Sequence, residues 1–160
     1  MKFCPECATQ ISVREIDGKS RPACSQCKFV AWGNPTPVVA VLVQLGDDYV
    51  LARNNAWPPG IFSMITGFVE GGETPEQTLA REVEEELDVQ VLGSRFLGHF
   101  AMLATNQLII AFVATCRGTP KCNEELAEVR RLGTRELRDF DFGPLHLTKQ
   151  IVDVALSTTR

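Results

Sequence analysis

GFVEGGETPEQTLAREVEEELDV, at residues 67–89, is the most informative stretch of this 160-residue sequence. Within it Thr74 precedes Pro75, and proline suits the first helical position because its φ is fixed and it lacks an N–H that would need a partner. Gln77 stands three residues after Thr74 and completes a capping box, in which side chains and backbone N–H groups satisfy each other. The stretch therefore predicts a loop followed by a helix that runs from residue 75 to about residue 87.

The predicted helix carries an acidic face beside an apolar face. At about 100° per residue, three acids fall within one arc and three aliphatic residues on the neighbouring arc. The acids are Glu82, Glu85 and Glu86, and the aliphatic residues are Leu79, Val83 and Leu87. Glu82 and Glu86 repel each other by roughly 0.2–0.5 kcal/mol, and acids are disfavoured near a helix C-terminus. A bound Mg²⁺ or Mn²⁺ would offset both costs, whereas helix geometry alone also permits a solvated acidic face.

The complete stretch resembles the Nudix box of the Nudix hydrolase family. The positions that match are Gly67, Glu73, Arg81-Glu82, Val83, Glu85-Glu86 and Val89. Asp88 departs from the pattern, because the family has glycine there, and aspartate adopts a left-handed helix end at a cost of about 1 kcal/mol. The resemblance implies an α/β fold, namely the Nudix α/β/α sandwich with a mixed sheet.

The same resemblance implies a role for each matching residue. Glu82, Glu85 and Glu86 would bind Mg²⁺ or Mn²⁺ together with the backbone carbonyl of Gly67, and Glu73 would pair with Arg81 to orient the loop against the helix. Glu128 is the candidate for a further acid at this metal site, with its neighbours Glu124 and Glu125 as alternatives. The reaction implied is attack of water on phosphorus, in which the metals neutralise developing charge and a carboxylate takes the proton.

Four of the six cysteines form two Cys-x-x-Cys pairs, Cys4 with Cys7 and Cys24 with Cys27. In a chain without a recognisable export signal, this spacing predicts a tetrahedral structural zinc site rather than disulfides, and a redox dithiol is the alternative. Residues 11–18 between the pairs predict a strand and a turn, too little core to fold without metal. Because residues 33–37 read as a linker, we expect a zinc ribbon at residues 1–33 and a Nudix hydrolase domain at residues 34–160.

Within the family, the sequence is most similar to the zinc-ribbon NADH pyrophosphatase branch. The similarity lies in the ribbon, in residues 66–74 and in Glu125-Leu126-Ala127-Glu128-Val129. That branch's Ser-Gln-Pro-Trp signature is absent, and residues 99–107 stand in the corresponding place. Since ribbon and Nudix domain also occur together in enzymes resembling FAD or ADP-ribose pyrophosphatases, the expected substrate is a nucleoside diphosphate derivative of the NADH, NAD, FAD or ADP-ribose type.

Candidate substrate contacts are two aromatic residues and two amides. Trp57 and Phe62 border the loop before the box and could stack on a base, although such residues often belong to a core. Asn106 and Gln107 interrupt two apolar stretches, which predicts either a turn or an amide that hydrogen-bonds the substrate.

Outside the box, most of the sequence predicts strands. Residues 38–43 and 49–52 predict a buried hairpin, residues 61–66 a short extended segment, and residues 89–92, 96–103 and 108–115 three further strands. Residues 123–127 predict a short helical turn and residues 145–156 a final helix.

Charge and composition limit the partners. The net charge is −4, and residues 1–33 carry five basic and three acidic residues, so the acidic excess lies in the rest of the chain. Nucleic acid is therefore a less favoured but retained partner. No apolar run reaches the length of a membrane helix, and we expect a cytoplasmic enzyme, with a homodimer as one candidate oligomeric state. Two alternatives remain: a ribbon and Nudix module that binds a nucleotide or protein without cleaving it, and a pyrophosphatase acting on the cap of an RNA end.

Overall fold

The computed structural model describes residues 1–157, which divide after residue 35 into two compact units, residues 1–35 and residues 36–157. Each unit has its own strands. Among the described residues, no helix is both long enough and apolar enough to cross a membrane.

The first unit is built on a hairpin. Strand β1 (Ser12–Ile16) pairs antiparallel with β2 (Lys19–Ala23), and Asp17 and Gly18 form the turn with positive φ angles of 51° and 69°. An isolated bridge joins Ala23 to Val30, so a third chain segment runs beside β2. The predicted strand and turn at residues 11–18 are confirmed.

The second unit contains a mixed six-stranded sheet. Its strands are β3 (Thr36–Leu45), β4 (Asp48–Asn54), β5 (Ile65–Phe68), β6 (Gln90–Met102), β7 (Gln107–Arg117) and β8 (Leu126–Gly133). Their order is β6-β7-β3-β4-β8, and β5 also pairs with β3. The β3–β7 pair is parallel and the others are antiparallel, which confirms both the mixed sheet and the predicted hairpin.

Helices cover both faces of this sheet. Because successive side chains of a strand point to opposite faces, Val39, Val41 and Val43 of β3 belong to one core cluster, which they share with helix α1 (Pro75–Leu87). Val38, Ala40 and Leu42 belong to the other cluster, together with residues of α2 (Thr134–Arg138) and α3 (His146–Ser157). The expected α/β/α sandwich is confirmed.

Helix α1 has the predicted ends. Thr74 and Gln77 form the capping box, with Gln77 N–H donating to Thr74 Oγ1 at 3.3 Å and Thr74 N–H to Gln77 Oε1 at 2.8 Å. Asp88 closes the helix in the left-handed conformation at φ 53°, and its N–H donates to the carbonyl oxygen of Glu84. Lys121 Nζ lies 2.7 Å from the Asp88 carboxylate, so a cation stands near the negative end of the helix.

Three local predictions were wrong or incomplete. Residues 123–127 form no helical turn; Asn123 Oδ1 accepts the N–H groups of Glu125 and Leu126, which turns the chain directly into β8. In place of the two strands predicted within residues 89–103, one long strand, β6, runs from Gln90 to Met102, because irregularities near Gly93 and Gly98 absorb the breaks in the apolar pattern. The short helix α2 was not predicted.

Candidate functional site

The carboxyl group of Glu82 packs directly on the backbone of Gly67. A Cβ atom added at Gly67 would lie 2.0 Å from both Cδ and Oε1 of Glu82, a distance that no side chain tolerates. Gly67 belongs to β5, which pairs with β3 in the centre of the sheet, and Glu82 belongs to α1. The glycine therefore allows an acid on the helix to lie against a peptide group of the strand.

Arg81 joins the loop before α1 to the acidic face of that helix. Its Nε and Nη2 donate to the two carboxylate oxygens of Glu73 at 2.9 and 3.1 Å, a bidentate pair. Its Nη1 donates to Glu82 at 2.7 Å and to Glu85 at 3.2 Å. Hydrogen bonds from Arg81 and then from Thr78 lower the pKa of Glu73 to about 2, so this carboxylate stays ionised at neutral pH.

The pKa of Glu86 is shifted in the opposite direction, upward. Burial, followed by the negative charges of Glu82, Glu125 and Glu85, raises the pKa of Glu86 to about 7. Burial also raises the pKa of Glu82, to which the charges of Glu85 and Glu125 contribute. Partly buried carboxylates this close together are costly without a cation between them, and their oxygens are the donors that hard divalent cations prefer. The residues at this end of α1 therefore fit a divalent metal site.

Of the three acids considered beyond the helix, Glu125 is the one whose charge raises the pKa of both Glu82 and Glu86. It lines a small cavity of about 70 Å³ together with Glu86. Asn55 fixes the loop, since its side-chain amide donates to the carbonyl oxygen of Glu124 at 2.7 Å and its backbone N–H donates to that of Glu125 at 2.8 Å. The backbone at Glu124 and Glu125 is thereby anchored to the end of β4.

Glu128 lies instead among arginines. Its carboxylate oxygens are 3.8 Å from Arg53 Nε and 3.3 Å from Arg130 Nε. Arg53 Nη1 donates to the carbonyl oxygen of Trp57 at 3.3 Å. Glu128 is thus connected, through Arg53, to the loop that carries Trp57.

An apolar cavity of about 240 Å³ adjoins the acidic group. Trp57 and Gln107, two of the four candidate substrate contacts, line it, and so does Gly67. Trp57, Met64 and Thr66 line both this cavity and the small one beside Glu86 and Glu125. The carboxylates and the apolar cavity therefore share walls, as expected where a charged group and an attached apolar group of one ligand bind side by side.

The other two candidate contacts lie elsewhere. Phe62 is fully buried in the core, with the Arg130 guanidinium 4.2 Å from its ring centroid and Phe140 at its edge. Asn106 has a left-handed conformation at φ 52° and ends a 3₁₀ turn at Leu103–Thr105. Phe62 therefore packs in the core, and Asn106 forms a turn. These were the alternatives to a substrate contact for the two residues.

Sequence reasoning missed a polar pair in the wall of the apolar cavity. Ser63 and Thr148 are both buried, and their hydroxyl oxygens lie 3.0 Å apart. They are 85 residues apart in the sequence, so no local pattern signals the pair.

The four predicted cysteine ligands lie together in the first unit. The Sγ atoms of Cys4, Cys7, Cys24 and Cys27 are all within 4.8 Å of one another. The Cys4–Cys27 and Cys7–Cys24 sulfur distances of 3.5 and 3.4 Å approach the roughly 3.8 Å of thiolates around a tetrahedral metal with bonds of about 2.3 Å. Backbone N–H groups of Gln26 and Cys27 point to Cys24 Sγ at 3.3 and 3.4 Å. The cluster fits a metal ion held by four sulfur atoms.

Comparisons with known proteins agree with this geometry. The family model described as the NUDIX domain matches residues 34–150. The NAD-capped RNA hydrolase NudC of Pseudomonas aeruginosa is 34% identical over 113 residues, which are 71% of this chain and 40% of that protein. The protein of the same name from Chromobacterium violaceum is 36% identical over 118 residues, 73% of this chain and 43% of that protein. The chain spans about two fifths of the length of these relatives.

Solved structures share the fold. A NUDIX hydrolase from Nitrosomonas europaea superimposes with a TM-score of 0.83 at 23% identity, covering 99% of this chain and 92% of that one. A MutT protein from Methanosarcina mazei Go1 gives a TM-score of 0.65 at 17% identity, covering 81% of this chain and 100% of that one. At such identities the likeness concerns the backbone arrangement.

Proposed function

The chain belongs to the NUDIX family, and from this premise we propose that it is a metal-dependent pyrophosphohydrolase acting on a nucleoside diphosphate derivative. NAD-type dinucleotides are the favoured substrates, since the relatives with 34% and 36% identity are called NAD-capped RNA hydrolases. In this proposal residues 34–160 form the hydrolase domain and residues 1–33 a zinc ribbon. We further propose that the protein forms a homodimer, which analytical ultracentrifugation tests.

The catalytic metal would be Mg²⁺ or Mn²⁺, held by oxygen donors only. We assign Glu82, Glu85 and Glu86, the Gly67 carbonyl and Glu125 to this set, and we prefer Glu125 to Glu128 because of its position beside Glu86. When bound, divalent cations supply Lewis acidity that offsets the negative charge developing on the diphosphate oxygens.

The remaining residues hold the site in shape and receive the substrate. Arg81, paired with Glu73, fixes the direction of Glu82 and Glu85. Trp57 and Gln107 receive the apolar or heteroaromatic part of the substrate in the 240 Å³ cavity. A carboxylate beside the diphosphate accepts the proton of the attacking water, and Glu86 and Glu125 are the acids that face the shared wall.

The observation that carries the proposal is the shared wall between carboxylates and cavity. Trp57, Met64 and Thr66 contribute to both, so a diphosphate at the acidic group leaves its attached moiety at the mouth of the apolar cavity. Glu86 and Glu125 are the acids at this wall, and the raised pKa of Glu86 reflects an electrostatic cost that a bound divalent cation would offset.

The test is release of mononucleotides from NADH, NAD⁺, FAD, ADP-ribose and nucleoside triphosphates, with Mg²⁺ or Mn²⁺ and after their chelation. Metal-dependent cleavage with one preferred dinucleotide is expected. If the folded protein binds one of these compounds but cleaves none of them, it is a nucleotide-binding module without hydrolytic activity.

A second candidate substrate is an NAD cap on RNA, which the names of the relatives favour. Comparing kcat/KM for NADH and for a short NAD-capped RNA decides between them. A higher value for the capped RNA would make the RNA end the substrate.

A further inference from the structure

The ribbon presents two arginines and a tryptophan in one row across its small sheet. Arg14 of β1 and Arg21 of β2 are direct cross-strand partners, so their side chains lie on the same face. Continuing the Ala23–Val30 bridge by two residues places Trp32 opposite Arg21 on the neighbouring segment. Lys19, the partner of Ile16, falls on this same face.

The guanidinium groups are held in place without a negative partner. Arg14 Nη1 donates to the carbonyl oxygen of Cys24 at 3.3 Å, and Arg21 Nη1 donates to that of Trp32 at 2.7 Å. Across residues 1–157, neither arginine takes part in an ion pair. Arg21 Nε is moreover buried with no hydrogen-bond partner among the described residues.

Placing Arg14 opposite Arg21 lowers the stability of the strand pair, so folding of the sheet alone does not explain the arrangement. Like charges directly opposite each other destabilise a strand pair, and β1 has room for a glutamate on its other face, where Glu15 stands opposite Ser20. The acids of the hairpin thus lie outside the row that carries the positive charges. A negatively charged ligand would offset the repulsion.

Trp32 narrows the class of that ligand. Arg21 lies 4.9 Å from the centre of its ring, yet 49% of the Trp32 surface remains exposed. A rigid aromatic surface beside fixed guanidinium groups suits a ligand that alternates flat bases with phosphates. Base stacking needs unpaired bases, so a single strand fits this face better than a duplex.

We propose that this face of the ribbon binds single-stranded nucleic acid, with Arg14, Arg21 and Lys19 contacting phosphates and Trp32 stacking on a base. The proposal concerns binding by the ribbon and stands whether or not the chain hydrolyses a pyrophosphate. Neutralising three phosphates predicts that log affinity falls with log salt with a slope of about −2.

The test is fluorescence anisotropy of labelled single strands of about 12 nucleotides, one of uridylate and one of deoxythymidylate. The measurement uses the 160-residue chain with zinc bound and with Glu85→Gln and Glu86→Gln, because these substitutions prevent cleavage of the probe. Arg14→Gln with Arg21→Gln should weaken binding by about tenfold or more and reduce the salt slope by about 1.4. The matched control, Lys2→Gln with Lys28→Gln, removes the same charge from the ribbon and should change binding little.

Stacking is tested separately from charge. Trp32→Ala should weaken binding by about 5- to 100-fold, while Trp32→Phe should retain most of the affinity. In a Trp57→Phe background, Trp32 is the remaining tryptophan, and the single strand should quench its fluorescence. Zinc content and circular dichroism verify that each variant retains a folded ribbon.

Several outcomes would overturn the proposal: equal losses in the arginine and lysine variants, unchanged affinity in Trp32→Ala, or preference for a duplex of the same length. Binding to phosphatidylserine vesicles without binding to either single strand would make the face a membrane contact. Equal affinity for the RNA and DNA probes supports the proposal as stated. A preference for one probe also supports it and shows whether the ligand is RNA or DNA.

Discussion

The cysteine cluster and the carboxylate group reach a metal-binding arrangement in different ways. The four sulfur atoms lie within 4.8 Å of one another, and four thiolates complete a tetrahedral shell. The carboxylates are spread over a helix and a loop, Arg81 engages two of them, and an apolar cavity lies beside them. A closed set of soft donors is suited to holding a small unit together, whereas an open set of hard donors leaves room for a substrate.

The largest expected effect concerns the carboxylates, which we call the open site, in contrast to the closed site formed by the four cysteines. Glu85→Gln with Glu86→Gln removes two proposed metal ligands while keeping their size, and we expect kcat/KM to fall by about 10³-fold or more. Stability should be retained, because the change also relieves repulsion among the acids. Steady-state kinetics and thermal unfolding measure the two effects. The control is Glu84→Gln, an exposed acid of the same helix; full turnover in the double variant would remove these residues from the site.

Gly67→Ala tests whether the open site depends on the close approach of Glu82 to the strand. The added Cβ would displace the Glu82 carboxylate, and a misplacement of about 1 Å can cost roughly 100-fold in rate. We expect a loss of that size in kcat/KM, measured with the preferred substrate. Gly71→Ala is the matched control, since a Cβ there meets no atom within 4 Å. Equal activity of both variants would contradict the packing argument.

These two sites also differ in how far the sequence could predict them. The cysteine spacing, the capping box and the acidic arc of α1 are local patterns, and each corresponds to the geometry described. The position of the loop that carries Glu124 and Glu125, on which our proposal of Glu125 rests, was not predictable, because it depends on a hydrogen bond between Asn55 and Glu124, which are 69 residues apart. The burial of Phe62 beneath Arg130 likewise follows from packing between distant segments. Long-range contacts of this kind leave no periodic signal in the chain.

Glu128→Gln separates positioning from metal binding. The amide keeps the shape but loses the charge that faces Arg53, which in turn holds the carbonyl of Trp57. We expect KM to rise about fivefold, corresponding to roughly 1 kcal/mol, with kcat unchanged. Glu125→Gln, measured alongside, should lower kcat. A large fall in kcat for Glu128→Gln, with KM unchanged, would restore Glu128 to the metal site.

The Glu73–Arg81 pair gives the second unit a pH-dependent contribution to stability. The pKa of Glu73 is about 2 in the folded protein and 4.5 in its ordinary state. The folded state therefore binds fewer protons between these values, so the contribution is complete above pH 4.5 and is lost as pH falls through 2. Glu73→Gln should destabilise the protein more at pH 6 than at pH 3, measured by urea unfolding. Glu76→Gln, an exposed acid in the first turn of α1, is the control; an equal loss at both pH values would contradict the assignment.

The smallest effect on hydrolysis is expected from the closed site. Cys24→Ser removes a buried cysteine of the proposed zinc site and should abolish zinc binding and unfold the ribbon, because metal binding supplies most of the folding free energy of such units. The second unit has its own two apolar clusters, which the substitution does not touch, so the kcat of the proposed hydrolysis of a free dinucleotide should change by less than about threefold. Zinc analysis and hydrogen exchange of residues 1–35 follow the ribbon, and steady-state kinetics follow the core. A large fall in kcat in Cys24→Ser would mean that hydrolysis at the carboxylates depends on an intact cysteine cluster. The two regions would then form one functional unit.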